Sequence, residues 1–339
     1  MAATDVIPLQ SDGSPVSAEI SLLMKRQQYG MVGKHSRVKV CHWTKSSLKD
    51  EGGCYKHKFY GIKSHQCLQM TPSFTCNFAC NFCWRDHAFH TAPTMKEGMD
   101  DPVDIVEKSI ISQKKLLSGF GGHKTANKQK VREAMAPKHV AISLDGEPTL
   151  YPKIAQLIGE YTKRGMTTFL VSNGSMPEKI QEVIDTAPPT QLYISLDAPN
   201  KELFQKIDNP LIKDAWERIM RTLDIMASAG DKTRTVLRMT LIKGMNMCSV
   251  NDYASLFNRS KAQFVEVKAY MWVGHSQERM SQDQMPRHEE VVAFAHDLSD
   301  ASGYEVVDEH VPSRVVLLRR KDAPDKMIDF SSLGSFATL

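Results

Sequence analysis

From residue 68 onward, short apolar runs alternate with stretches in which apolar residues recur every three or four positions. The runs at 68–74, 139–144, 167–171, 192–196, 235–241 and 264–271 are rich in β-branched and aromatic residues and predict strands. Helical periodicity falls between them, at 103–117, 153–164, 179–185, 215–229 and 251–258, with Gly165 and Gly230 where helix stops are expected. Six strands alternating with helices predict an α/β fold, a parallel sheet with right-handed crossovers that closes as a partial (β/α)6 barrel. Its active site would lie at the C-terminal strand ends. Residues 1–20 read as a loose terminus, 21–67 as a polar N-terminal segment, 68–275 as the barrel core and 276–339 as a C-terminal extension. The extension carries one helix at 289–298 and strand patterns at 305–308 and 314–319, and the Gly-, Lys- and Asn-rich stretch 118–136 is a long insertion. No internal repeat is visible.

The predicted strands end in polar residues. The second ends in Ser143-Leu-Asp145-Gly146-Glu147-Pro148, where a glycine would let backbone approach a ligand closely. The third ends in Ser172-Asn173-Gly174 and the fourth in Ser195-Leu-Asp197-Ala-Pro199, while the fifth and sixth carry Arg238-Met-Thr240 and Glu266-Val-Lys268-Ala-Tyr270. Any one of these alone would pass for a turn or a helix cap. Five in register make a candidate site.

Six of the seven cysteines fall between residues 41 and 83, in two sets. Cys76-Asn-Phe-Ala-Cys80-Asn-Phe-Cys83 offers three thiolates from one tight loop, enough for three irons of a cubane cluster. The fourth iron stays open for S-adenosylmethionine (SAM), and Phe82 also fits the radical SAM pattern. Cys41, Cys54 and Cys67 stand thirteen residues apart and offer a second set of three thiolates, so a second [4Fe–4S] cluster is expected. A structural zinc ion completed by His57 or His65 is the alternative for this set, and His87 or His90 would be needed for zinc at the other. Cys248 stands alone and reads as a packing residue.

Composition narrows the setting. The chain has 339 residues, 41% hydrophobic and 24% charged, which suits one large domain with an extension or two domains. No signal-peptide pattern and no apolar run of the roughly eighteen residues a membrane span needs are present, so a cytoplasmic protein with no membrane partner and no disulfides is expected. A net charge of +4 suits a polyanionic partner without requiring one.

The combination of motifs resembles the 4-demethylwyosine synthases, radical SAM enzymes of wybutosine-type tRNA modification. The resemblance rests on the thirteen-residue cysteine spacing, Cys-Tyr-Lys-His-Lys-Phe-Tyr-Gly-Ile from Cys54, and CxxxCxxC followed by Trp84-Arg85-Asp86. Gly146-Glu-Pro-Thr-Leu-Tyr-Pro152 and Val267-Lys-Ala-Tyr-Met-Trp-Val-Gly-His275 complete it, and it covers residues 20–320. It implies a carbon–carbon lyase with two [4Fe–4S] clusters and SAM, condensing N1-methylguanosine at position 37 of tRNA(Phe) with pyruvate. The carboxyl carbon of pyruvate is lost. It further implies the short archaeal form, acting as a monomer with a separate electron donor in place of a fused flavodoxin-like domain. Lys56 matches the family lysine that forms a Schiff base with pyruvate, and its place two residues after Cys54 would lower its pKa beside a cationic metal site. Gly146, Glu147, Asn173 and Asp197 are the expected SAM contacts. Lys58, Arg85, Lys124, Lys128, Lys130, Arg319, Arg320 and Lys321 are candidates for tRNA phosphates. Two alternatives remain: a radical SAM enzyme with an auxiliary cluster acting on a peptide or metabolite, and a non-catalytic Fe–S or zinc RNA-binding protein.

Overall fold

The computed structural model describes residues 27–87, 91–95 and 99–331, so the loose terminus at 1–20 and His90 lie outside the described residues. The parallel core is β3 (Cys67–Thr71), β4 (His139–Ile142), β5 (Thr167–Ser172), β6 (Gln191–Ser195), β7 (Arg234–Leu241) and β8 (Phe264–Ala269), adjacent in chain order. These are the six strands expected from the sequence. The hairpin β1 (Tyr29–Val32) and β2 (Ser36–Lys39) adds antiparallel strands beside β3, and β10 (Val315–Arg319) and β9 (Glu305–His310) do the same beside β8. One ten-stranded sheet therefore runs through the described chain.

The helices are α1 (His42–Ser47), α2 (Tyr55–Tyr60), α3 (Pro102–Leu117), α4 (Lys128–Ala134), α5 (Ile154–Lys163), α6 (Pro177–Thr186), α7 (Lys201–Asp208), α8 (Ala215–Ala227), α9 (Val250–Ser260) and α10 (His288–Ser302). Among them α1, α2, α4 and α7 were not expected. They are short, and their polar residues hide a helical period that only tertiary packing rewards.

Alternation along the strands divides the interior in two. Leu68, Val140, Leu170, Leu192, Ile194, Leu237, Met239, Val265 and Val267 face outward and join the main core with the crossover helices. The opposite face carries Phe169, Tyr193, Val236, Phe264, Val315 and Leu317, which pack on Phe59, Tyr60 and Ile62. Helix α2 and the residue after its stop thus plug the barrel lumen from the N-terminal end of the strands. Each buried aromatic side chain contributes about 2–3 kcal/mol by removal from water.

Candidate active site in the barrel lumen

The strand register stacks the lumen-facing residues in levels. Val171, Tyr193, Val236 and Phe264 form an apolar level. Ser195, Arg238 and Glu266 lie above it, and Thr240 and Lys268 above those. At the top is a cavity of about 340 Å³ lined by Cys80, Cys83, Asn173, Asp197, Arg238 and Lys268, among others.

The two cysteine sets sit at opposite ends of β3. Cys67 opens that strand, and Cys76 follows its end by five residues. The strand itself spans roughly 13 Å at ~3.3 Å per step. All six thiols are unpaired by disulfides and keep part of their surface accessible. Burial pushes Cys76 up to about 12, with Glu147 and Cys83 adding to the rise. Cys80 is pushed well above the usual thiol range by burial, then by Asp208, Cys76 and Cys83. At the lower end burial also raises Cys41 and Cys67, and the neighbouring thiols of the same set add to both. Each set is thus a group of close sulfurs that resists becoming anionic without a cation between them. Among the described residues no three His, Cys, Asp or Glu side chains are set to close on a single metal ion. A cubane makes a different demand, since each thiolate takes its own iron. The two histidines considered for zinc at the Cys41 set are used otherwise. His65 Nε2 pairs with Glu133 at 2.7 Å, and His57 Nδ1 donates to the Ile62 carbonyl at 2.7 Å.

Lys56 rises from α2 into the lumen, its Nζ 4.2 Å from the Tyr193 ring centroid and 5.6 Å from that of Phe169. Burial lowers its pKa, Glu266 opposes the shift and Arg238 reinforces it. Glu266 is fully buried and accepts from Tyr60 Oη at 2.8 Å.

The expected SAM contacts divide. Asn173 and Asp197 line the cavity. Asn173 Nδ2 donates to Asn77 Oδ1 at 2.9 Å and lies 3.9 Å from the Cys76 sulfur. Asp197 Oδ1 accepts from the Thr240 amide at 2.6 Å, and burial raises its pKa to about 6. Gly146 and Glu147 stand behind the cavity and brace the cysteine loop. The Glu147 carboxylate accepts from the Thr149 amide and hydroxyl, Ser172 Oγ and the Asn173 amide at 2.6–3.0 Å, while the Glu147 amide donates to Thr75 O at 2.7 Å. Gly146 has φ +64°, and a Cβ there would overlap the Ser73 and Thr75 carbonyl oxygens. The close approach that this glycine permits is to the chain's own backbone. Gly146→Ala is therefore expected to lower the melting temperature, at a cost of about 2 kcal/mol or more. It should also lower the iron held by the Cys76 loop. Unchanged melting and iron content would show that the loop tolerates the shift.

Three further contacts around the cysteine loop were not anticipated from the sequence. Asp208, at the end of α7, accepts from the Cys80 thiol at 3.4 Å and faces Asp197, so burial and that second carboxyl hold its pKa well above the usual range. Buried Asp145 lies between Arg37 at 3.4 Å and Arg85 at 3.6 Å, tying β2 to the cysteine loop. Arg279 donates to the carbonyls of Asn81, Cys83 and Arg85, so the C-terminal region clamps the same loop. An arginine beside a positive-φ glycine, as in Gly274 to Arg279, is too ordinary a pattern to have marked it.

Cys248 corrects one expectation. It is exposed, at the loop before α9, and packs no core. Several candidate phosphate contacts are engaged within the chain: Lys58 with Asp308 at 2.9 Å, Lys130 with Asp50 at 2.6 Å, Arg319 with Glu305 at 3.4 Å and Arg320 with Asp322 at 2.5 Å. Lys128 donates to the carbonyls of Gly121 and His123.

Comparison with known proteins settles the family. The radical SAM superfamily model matches residues 70–257, and the model for wyosine base formation matches 259–320. The SAM-dependent tRNA 4-demethylwyosine synthase of Pyrococcus abyssi is 48% identical over 90% of this chain and 89% of its own. The chain belongs to this synthase family. The Methanocaldococcus jannaschii synthase is 38% identical over 91% of this chain and 97% of its own, whereas the rice synthase, 42% identical, is matched over only 47% of its length. A solved structure of TYW1 with a lysine–pyruvate adduct bound superposes with a TM-score of 0.82 at 36% identity, covering 93% of this chain and all of that one. An archaeal TYW1 crystal structure superposes at 0.75 with 34% identity, covering 92% and 100%. Membership of the radical SAM superfamily brings SAM and a [4Fe–4S] cluster. No helix among the described residues is long and apolar enough to cross a membrane.

Proposed function

We propose that this enzyme condenses N1-methylguanosine at position 37 of tRNA(Phe) with pyruvate to give 4-demethylwyosine. The observation that carries this is the place of Lys56: an enclosed amine in the lumen, between two cysteine sets and one level below the cavity. The relative solved with a lysine–pyruvate adduct supports the same use of a lysine. Cys76, Cys80 and Cys83 are the proposed ligands of the SAM-binding cluster, which when bound supplies the electron that splits SAM into methionine and a 5′-deoxyadenosyl radical. Cys41, Cys54 and Cys67 are the proposed ligands of a second [4Fe–4S] cluster beside Lys56. The buried, mutually close thiols fit both assignments.

The chain's own residues set up the rest. Lys56, whose ammonium form is disfavoured by burial, attacks the keto carbon of pyruvate as the neutral amine, and water leaves as the imine forms. Asn173 and Asp197 contribute polar atoms at the cavity wall for SAM. Gly146 and Glu147 hold the Cys76 loop against the strand ends, and the target base leaves the anticodon stack to reach the cavity. The chain is proposed to work as a monomer.

The deciding experiment is anaerobic incubation with methylated tRNA, SAM and pyruvate, followed by nucleoside mass spectrometry for the tricyclic base. A companion measurement follows borohydride trapping against pH. A lowered lysine pKa means the neutral amine persists as pH falls, so the rise in trapping at Lys56 is expected to be centred below 10.5, the value of an unperturbed lysine. A rise centred at or above 10.5 would contradict the enclosed amine.

A further inference from the structure

Arg238 lines the cavity, and its Nε is buried without a hydrogen bond. Burial disfavours its charge, but Tyr55, Glu266 and Asp197 outweigh burial and favour the charged form from a distance. Among the described residues no carboxylate reaches it at ion-pair distance. Its neighbours in register are Ser195 on β6 and Glu266 on β8. Glu266 is committed on one oxygen to the Tyr60 hydroxyl. Asp197 lies near enough to act on Arg238 electrostatically, yet its Oδ1 accepts from the Thr240 amide and it faces the buried carboxyl of Asp208. Lys268, one level higher, donates to the Ser313 carbonyl at 2.7 Å, and burial brings its pKa down to about 7. Arg238 therefore keeps hydrogen-bonding capacity at the cavity wall, and its planar fork matches a carboxylate.

The position of Arg238 suggests which anion. It stands one level, or roughly 6.6 Å of strand, above the level of Tyr193, over whose ring Lys56 Nζ lies. From an imine nitrogen, through the keto carbon and the adjoining carboxyl group to a charge-assisted hydrogen bond, the path is roughly 6–7 Å. A carboxylate bonded directly to the carbon that Lys56 captures would therefore fall at Arg238. We propose that Arg238 binds the carboxylate of the 2-keto acid held at Lys56, and so restricts this site to 2-keto acids over neutral ketones and aldehydes. This rests on the role proposed above for Lys56.

The test compares pyruvate with hydroxyacetone, a neutral ketone of similar size, in wild-type, R238K and R238Q proteins reconstituted anaerobically. Either ketone loses water to the Lys56 amine, and borohydride delivers hydride to the imine to leave a stable secondary amine. The adduct is quantified by peptide mass spectrometry against ketone concentration. In R238Q the half-saturating pyruvate concentration should rise about 10- to 100-fold, as expected for a lost charge-assisted bond. It should be partly restored in R238K, and hydroxyacetone trapping should change less than about twofold. Iron content should stay at the wild-type level. Unchanged pyruvate half-saturation, an equal loss for both ketones, or loss of iron together with trapping would each overturn the proposal. If wild-type protein gives no adduct with either ketone, the role of Lys56 fails by itself. The KM for pyruvate in tricyclic-base formation then tests Arg238 alone, and an unchanged KM in R238Q would sink it.

Discussion

Lys56→Ala is expected to abolish tricyclic-base formation, by three orders of magnitude or roughly more, while SAM cleavage under dithionite survives. The physical reason is the enclosure of the amine. Burial disfavours the ammonium, so the neutral, nucleophilic amine is more accessible at Lys56 than at a solvated lysine. Truncation removes only the side chain's packing on the Tyr193 and Phe169 rings, so the variant should remain folded. Lys56→Arg separates two accounts. Arginine keeps the charge that could steer a carboxylate, but it cannot form the imine. A pyruvate adduct mapped to Lys56 after borohydride, and absent from both variants, would establish covalent capture. Near wild-type product formation by Lys56→Arg would end the Schiff-base role and leave pyruvate to be held by charge and by the second cysteine set.

Much of this arrangement was legible from residue order alone, for reasons that particular elements make clear. The six parallel strands announced themselves because both their faces are covered, leaving continuous apolar runs. Within those runs the polar interruptions at Arg238, Thr240, Glu266 and Lys268 fall at alternate positions, which is the signature of a lumen face. What could not be read was the meeting of distant segments. Helix α2 has six residues and no periodic signal, and it is positioned only because Phe59 and Tyr60 fill the barrel floor. The hairpin β1–β2 follows the same logic: its Arg37 lies in sequence far from the Asp145 that it meets. Gly146 was recognisable as a required glycine, but the reason lies in backbone at 73–75 that no local pattern links to it. Asp208 drew no notice because an aspartate at a helix end is common, and only the fold sets it against Cys80 and Asp197.

The second large effect concerns iron. Replacing Cys76, Cys80 and Cys83 by Ala together is expected to halve the iron of the reconstituted protein and to abolish SAM cleavage completely. Replacing Cys41, Cys54 and Cys67 should also halve the iron, yet leave SAM cleavage that is uncoupled from product. The asymmetry follows from placement. Cys80 and Cys83 line the cavity at the strand ends, whereas the second set lies at the far end of β3, beside Lys56. Neither triple substitution should unfold the barrel. Burial disfavours the thiolate at Cys41, Cys67, Cys76 and Cys80, and a small apolar Ala can take the place of each cysteine. Metal analysis then decides between the two readings of the lower site. Wild-type protein with about eight irons fits two cubanes. About four irons plus one zinc would instead make the Cys41 set a structural metal site. A closed zinc site would offer pyruvate no open coordination position, which would leave its capture to Lys56.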